Sequence, residues 1–239
     1  MNFRRLPAVA GVFCPLLFLS GCAVTVDRTG PAQYDARSFE RGNVEELHLN
    51  LDIGAGELKV GSGTHKLAQA YFTYNVAEWK PDVRYDSQGT RANLTVRQHG
   101  QHRGSFGSVK NEWDVRLSQE VPVYITVNCG AGHAQLDLGS FPLRDVEVDM
   151  GVGKLDMDLR GDPKQDYNVR IHGGVGEATV RLPSSAGVYA EASGGIGSIE
   201  APNLRRVGGH WVNDAYEHAK VRIHVAVEGG IGAIRLIGE

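Results

Sequence analysis

The residues of this chain that could do chemistry are carboxylates beside short glycine-rich segments. Four of them alternate with apolar residues: Asp137, Asp149, Asp156 and Asp158. Two carboxyl groups held about 5 to 9.5 Å apart can hydrolyse a glycosidic bond, and carboxylate oxygens also bind cations. On the outward face of a sheet, among Lys and Arg, the same aspartates form an ordinary solvated ladder. The pattern favours the solvated ladder, with a carbohydrate-active enzyme as the alternative.

A pair of histidines is the second group that could do chemistry. His99 and His102 lie close together in a polar, glycine-rich loop. A zinc site needs three or four ligands, so Glu112 or Asp114 would have to supply the others. The loop gives no firm geometry for such a set. We therefore expect no metal and no cofactor.

A short glycine motif occurs six times and invites a phosphate-binding interpretation. Each copy is Gly-x-Gly followed at once by a short apolar strand pattern. The copies begin at Gly54, Gly130, Gly151, Gly174, Gly195 and Gly230. A dinucleotide fingerprint also requires a third glycine three residues later and the start of a helix, and these copies have neither. Because Ser193 also lacks the Gly-x-Ser-x-Gly context of a nucleophile elbow, the motifs predict a non-enzymatic protein.

The spacing of the glycine motifs indicates a repeat architecture. The second glycines of the middle four copies are 21, 23 and 21 residues apart. Around them apolar residues alternate with polar ones, as in residues 47–53, which is the period of a half-buried strand. A repeat of this kind predicts an all-β solenoid with coils of about 21 residues. The residue between the two glycines is Ala, Val or Ile in every copy, and we expect it to point inward.

The N-terminal segment is typical of a secreted, lipid-anchored protein. Arg4 and Arg5 precede an apolar stretch, residues 8–19, that is too short to span a bilayer as a helix. The stretch ends in Leu19-Ser20-Gly21-Cys22, which resembles the lipobox of bacterial lipoproteins, where the cysteine is acylated and the preceding peptide is removed. We expect a signal peptide at residues 1–21, a lipid on Cys22 and a flexible tether over residues 22–43.

Charge and cysteine content narrow the range of partners. Without residues 1–21 the chain has 23 basic and 28 acidic residues, a formal net charge of −5, and no polybasic block. This balance predicts no nucleic-acid binding. After Cys22 the remaining cysteine is Cys129, so no disulfide can form within the domain, and its apolar surroundings predict a buried, inert thiol. The expected partners are the membrane, through the lipid, and an envelope protein or glycan.

Two stretches interrupt the repeat and hold nine of the 13 Phe, Tyr and Trp residues within residues 44–239. These insertions are residues 64–121 and residues 202–220. An insertion on a repeat array often forms its binding face. The candidate partner-binding residues are Trp79, Trp113, Trp211 and Tyr216. Alternatively, the aromatics cap the open ends of the stack, which every β-solenoid must protect from edge pairing. The sequence leaves both interpretations open.

Taken together, these features resemble the toast-rack, or putative-adhesin, domain of bacterial envelope proteins. The resemblance rests on the lipobox, the alternating strands and the Gly-x-Gly corners, and it covers residues 44–239. It implies a right-handed, β-helix-like stack, a non-enzymatic function and, in some members, an accessory role in envelope stress sensing. The long 64–121 insertion departs from the plainest pattern and predicts an N-terminal strand layer packed on the coils. The family has no motif that names a functional residue.

These expectations place the protein in the cell envelope, on the periplasmic face of the outer or cytoplasmic membrane. The favoured function is a lipid-anchored, non-enzymatic binding or scaffold protein. The alternatives are a carbohydrate-active enzyme and an adhesive module that self-associates through strand edges. A convergent acidic groove would favour the enzyme, and an uncapped, uncharged terminal coil would favour self-association. Arg235 and Glu239, near the last strand, argue against open-ended stacking.

Overall fold

The computed structural model describes residues 27–99, 105–106 and 108–239, and this part of the chain is almost entirely β. The short N-terminal and inserted strands are β1 (Asp27–Arg28), β2 (Gln33–Phe39), β4 (Ala68–Tyr74), β5 (Pro81–Gln88), β6 (Arg91–Gln98), β7 (Ser105–Phe106) and β8 (Asn111–Leu117). The long strands are β3 (Glu46–Ser62), β9 (Val123–Asp137), β10 (Leu143–Asp158), β11 (Tyr167–Leu182), β12 (Gly187–Glu200) and β15 (Arg222–Gly238). A hairpin, β13 (Arg205–Val207) and β14 (His210–Val212), and one 3₁₀ turn (Ala77–Trp79) complete the described elements.

The six long strands each carry a Gly-x-Gly near the middle, which divides the strand into a first arm and a second arm. They pair in parallel in the order β3, β9, β10, β11, β15, β12. The second glycines of all six motifs are in register along this stack. The repeat in the sequence is therefore a repeat in space.

Glycine is required at this corner for two physical reasons. In Gly153 the backbone has φ +138°, a value that residues with a side chain rarely adopt. A Cβ on Gly153 would also overlap the carbonyl oxygen of Gly132 in the neighbouring strand. Because the same overlap recurs at each step of the stack, backbones at the corner lie in direct contact.

Both arms of the long strands contribute to one continuous core. In β3 the inward residues Leu49 and Leu51 of the first arm and Leu58 of the second arm are at most 1% exposed. Burial of such a side chain contributes about 1.5–3 kcal/mol, so the aliphatic rows of the stack are its main source of stability. Alternation along each arm confirms the all-β, half-buried strand pattern of the sequence.

The stack does not follow chain order at its far end. β15, the last strand in sequence, lies between β11 and β12, so β12 is the terminal long strand. Arg235 therefore lies on a strand that is not at the end of the stack. Its Nε donates to Glu200 Oε2 of β12 at 3.0 Å. The expectation that Arg235 and Glu239 guard the end of the stack is wrong for this reason.

The two insertions extend and cap the stack. From the 64–121 insertion, β6 pairs with the first arm of β3 and β8 with its second arm. β5 and β4 of the same insertion, together with the earlier strand β2, extend these pairs outward. From the 202–220 insertion, the β13–β14 hairpin pairs with the first arm of β12 at Tyr189 and Ala190. The predicted N-terminal strands are thus joined to the coils edge to edge by ladder hydrogen bonds.

The flexible tether predicted over residues 22–43 is wrong for its last part. Residues 33–39 form β2, which pairs in antiparallel fashion with β4. The side chains of β2 are mostly exposed, so the strand lacks the apolar alternation that would have revealed it. Residues 1–26, which include the predicted signal peptide and Cys22, lie outside the described part of the chain.

Candidate binding surface at the glycine corner

Two of the four aromatic candidates are core residues. Trp79 and Trp113 are each 1% exposed. The Trp113 ring packs edge-on against Phe72 with centroids 5.5 Å apart, and its Nε1 donates to Asn111 Oδ1 at 3.0 Å. Their assignment as partner-binding anchors is wrong, because the cap of the stack encloses both rings. At this end the capping interpretation is the correct one.

The other two candidates lie at the opposite end of the stack. Trp211 in β14 packs against the core, with the Arg206 guanidinium 5.4 Å from its ring centre. Tyr216 is half-buried in a small outward cluster around Tyr189. The rest of that cluster comprises His210 and His224, whose rings lie 4.3 and 5.0 Å from Tyr189. Trp211 and Tyr216 therefore support the hairpin that covers the first arm of β12.

Two of the four aspartates of the ladder, Asp156 and Asp158, have basic partners. Asp156 lies between His133 Nε2 at 2.8 Å and Lys154 Nζ at 3.0 Å. Partial burial alone would raise the pKa of Asp156, but hydrogen bonds to Lys154 and His133 outweigh it and lower the pKa. Hydrogen bonding to Arg160 likewise lowers the pKa of Asp158. Since the general acid of a glycosidase needs a raised pKa, these two residues are poorly suited to that role.

The histidine and cysteine candidates give no reactive site in the described residues. His99 is exposed, and His102 lies outside the described ranges. Within those ranges no group of three or more His, Cys, Asp or Glu side chains is placed to hold a metal ion. Cys129 is buried as predicted, and burial raises the pKa of its thiol to about 11. A thiol with this pKa is almost fully protonated, and so unreactive, near neutral pH.

The most exposed aliphatic surface lies on the outside of the glycine corner. In four of the six copies the residue between the two glycines is about half exposed or more, so the expectation that it points into the core is wrong for these copies. These four residues are adjacent in the stack and form what we call the corner ridge: Val152 (54% exposed), Val175 (47%), Ile231 (51%) and Ile196 (70%). With strands about 4.8 Å apart, the ridge is roughly 14 Å long. A continuous exposed aliphatic row of this kind is a candidate interaction surface.

The inner side of the same corner contains a cavity. In β3, β9 and β10 the last inward position of the first arm holds Ile53, Cys129 and Met150, whereas β11, β15 and β12 have glycine there. The missing side chains leave an apolar cavity of about 80 Å³, lined by buried residues such as Ile171 and Val227. Its exposed lining includes Ile199 of β12 and the corner residues Val175, Ile231 and Ile196. The core thus becomes less filled toward the terminal strand.

The terminal strand itself is only half covered. The β13–β14 hairpin pairs with β12 at Tyr189 and Ala190 alone. From Ser193 to Glu200 every residue of β12 is exposed, including Ile196 and Ile199. We call residues 192–199 of β12 the free edge, because in the described structure no strand pairs with their outer side.

The corner ridge could have been recognised from the sequence. The signal is that the residue between the two glycines is apolar in every copy. In the four copies of the ridge, a Cβ on either glycine would overlap a carbonyl oxygen of the neighbouring strand. Alternation along the first arm suggests that this residue is buried, but in four copies it is about half exposed or more. The free edge had no such signal, because it depends on β15 lying inside β12.

The chain belongs to the toast-rack family, since residues 28–181 match the N-terminal domain of toast_rack, DUF2154. It is similar to a solved structure described as a putative cell adhesion protein from Clostridium sporogenes, with 32% identity over 87% of this chain and 100% of that chain, and a TM-score of 0.82. The predicted all-β toast-rack fold is confirmed.

More distant solved structures also match. One is a putative adhesin from Bacteroides fragilis, with 11% identity over 87% of this chain and 99% of that chain and a TM-score of 0.34. Another is a putative lipid binding protein from Parabacteroides distasonis, with 8% identity over 90% of this chain and 99% of that chain and a TM-score of 0.27. No curated protein matches the chain. In the described residues, no helix has the length and apolar character needed to cross a membrane.

Proposed function

We propose that this protein is a non-enzymatic binding protein of the cell envelope, held at a membrane by a lipid on Cys22. In this proposal the rigid stack presents the corner ridge to an envelope protein, and the complex serves as an accessory in envelope stress sensing. The lipid would restrict the protein to the periplasmic face of its membrane, where the stack can meet membrane-bound partners.

The corner ridge is the observation that carries this proposal. Val152, Val175 and Ile231 are about half exposed although the core of the same strands is fully apolar. Their positions are fixed by glycines in backbone contact on both sides, so little conformational entropy remains to be lost on binding. A row of preorganised aliphatic side chains suits the apolar centre of a protein interface, which charged residues usually avoid.

The similar proteins support the same class of function. The Clostridium sporogenes structure is described as a putative cell adhesion protein, and it is similar to this chain over its whole length. Adhesion and scaffolding both require a stable surface and no reaction centre. The lowered pKa values of Asp156 and Asp158 also make the enzyme alternative less suitable.

A capture experiment on the corner ridge tests the proposal. The chain from Ala23 onward, which keeps every residue that the structure describes, is immobilised and incubated with detergent-solubilised envelopes of the native cells. The double variant Val152→Ser/Val175→Ser should lower capture of the main protein partner by about ten-fold or more, because it removes two apolar contacts. The two side chains are exposed, so the fold should be unaffected.

The matched control is Val207→Ser, which changes an exposed valine of β13 away from the ridge. Capture by this control should equal that of the unchanged chain. Equal capture by the ridge variant would contradict the proposal. Retention of envelope glycan in place of any protein would also contradict it and would favour the glycan-binding alternative.

A further inference from the structure

The free edge of β12 differs in charge from every other outer strand of the described stack. The other outer strands carry charged residues: Asp35 and Arg37 in β2, Asp82 and Arg84 in β5, and Arg205 and Arg206 in β13. β5 also begins with Pro81. Charges and proline on an edge prevent pairing with other chains. Residues 192–199 contain no charged residue; Glu191 and Glu200 flank this stretch, and Glu200 is ion-paired with Arg235 of β15.

The two ends of the stack also differ in how the glycine corner is closed. At the first corner, Gln98 Oε1 accepts hydrogen bonds from the backbone N–H groups of Gly54 and Ala55. Asn111 Nδ2 donates to the carbonyl of Ala55 at 2.6 Å. At the terminal corner, Gly195, Ile196 and Gly197 are all exposed, and no side-chain hydrogen bond to their outer backbone groups occurs in the described structure.

From these observations we infer that the free edge of β12 pairs with the same edge of a second copy of this chain. When identical edges pair about a two-fold axis, residues close to the axis lie near their own counterparts, so a neutral stretch there suits this contact and a charged stretch does not. The glycines of the free edge add no Cβ at the corner, so two such edges can approach as closely as neighbouring strands of the stack do. The inference goes beyond the proposed envelope partner and does not depend on it.

A two-fold axis between the two edges reverses the direction of the second strand, so the pairing is antiparallel. The inner faces of the two copies then lie on the same side of the joined sheet. Directly opposite residues of an antiparallel pair point to the same face. Gly194 and Ile199 are the inward positions of β12 on either side of its corner. A register that keeps inward residues opposite one another therefore places Gly194 of one copy opposite Ile199 of the other. Ile199, which is 38% exposed in the single chain, would then be covered, and the mouth of the corner cavity would be closed.

Sedimentation velocity over a concentration series tests this pairing with the chain from Ala23 onward. We expect a monomer–dimer equilibrium. The variant Ser198→Lys should weaken the dimer by about ten-fold or more, because it places two lysines near the two-fold axis. The matched control Ser87→Lys makes the same change on the outer strand β5 and should leave the equilibrium unchanged. Both serines are exposed, so both variants should fold.

Three results would overturn the inference. If the chain remains monomeric at roughly 100 μM, its self-association is too weak for the inferred pairing. A dimer that persists in Ser198→Lys uses another surface. A dimer lost in Ser87→Lys but kept in Ser198→Lys uses the β5 edge. None of these results depends on capture by the corner ridge, so the two proposals fail or succeed separately.

Discussion

At the scale of single residues, two neighbouring glycines at one corner have different roles. Gly174 lies at the corner, where a Cβ would overlap the carbonyl oxygen of Gly151. Gly173, one residue earlier, points into the corner cavity, and the nearest atom to a Cβ there is 3.8 Å away. Sequence alone does not distinguish the two residues, whereas their surroundings in the stack do.

Alanine substitution at these two positions should have opposite effects. Gly173→Ala should stabilise the protein by about 0.5–1 kcal/mol, because alanine restricts the unfolded chain and fits the available space. Gly174→Ala should destabilise it by about 3 kcal/mol or more, because two backbones would have to separate. Urea unfolding measures both, with Gly209→Ala in an open turn as the control. A similar loss of stability in both variants would show that the cavity at Gly173 is filled.

At the scale of elements, the glycine corner of β3 depends on two side-chain amides from different strands, Gln98 of β6 and Asn111 of β8. Asn111 of β8 is 4% exposed and makes three hydrogen bonds: to the carbonyl of Ala55, to Gln98 and to Trp113. These contacts join β3, β6 and β8 where β6 has ended and β8 begins. At the bend of β3, between its backbone ladders with β6 and β8, side-chain hydrogen bonds therefore take the place of backbone ones.

Removing this amide should destabilise the N-terminal cap. Asn111→Ala leaves the carbonyl of Ala55 and the indole N–H of Trp113 without these partners, which should lower the free energy of unfolding by about 2–3 kcal/mol. Thermal and urea unfolding give the measurement. Asn168→Ala, on the exposed side of β11, is the control and should change stability by less than about 0.5 kcal/mol. An equally small effect at Asn111 would mean that water replaces its hydrogen bonds.

At the scale of the whole molecule, the stack has one protected end and one partly open end. Strands from the 64–121 insertion close the first end and bury Trp79 and Trp113. At the other end the β13–β14 hairpin covers only the first arm of β12. The corner ridge runs along the stack to this partly open end, so the two proposed interaction surfaces meet at Ile196.

Anchoring of the whole molecule is tested by cell fractionation. If Cys22 carries the lipid, the native protein should sediment with membranes, and Cys22→Ala should move most of it to the soluble fraction, because the acyl chains supply the membrane affinity. Cys129→Ala is the matched control and should stay with the membranes, since that thiol is buried in the core. Membrane association that survives Cys22→Ala would contradict lipid anchoring.

The sequence by itself determined the fold class and the repeat. Alternation over residues 47–53 and the six Gly-x-Gly motifs suffice for this, because strand period and glycine-specific backbone geometry are local properties. Local properties also explain the prediction of a buried thiol at Cys129.

Only the tertiary structure decided which surfaces are free. That Trp79 is enclosed, that β15 separates β11 from β12, and that Ile196 points outward all depend on contacts between residues far apart in sequence. Which distant strands pair depends on the apolar surface that the complete stack buries. A short segment of sequence does not determine that surface. The candidate binding surfaces were therefore decided by packing, although the residues of the corner ridge belong to a motif visible in the sequence.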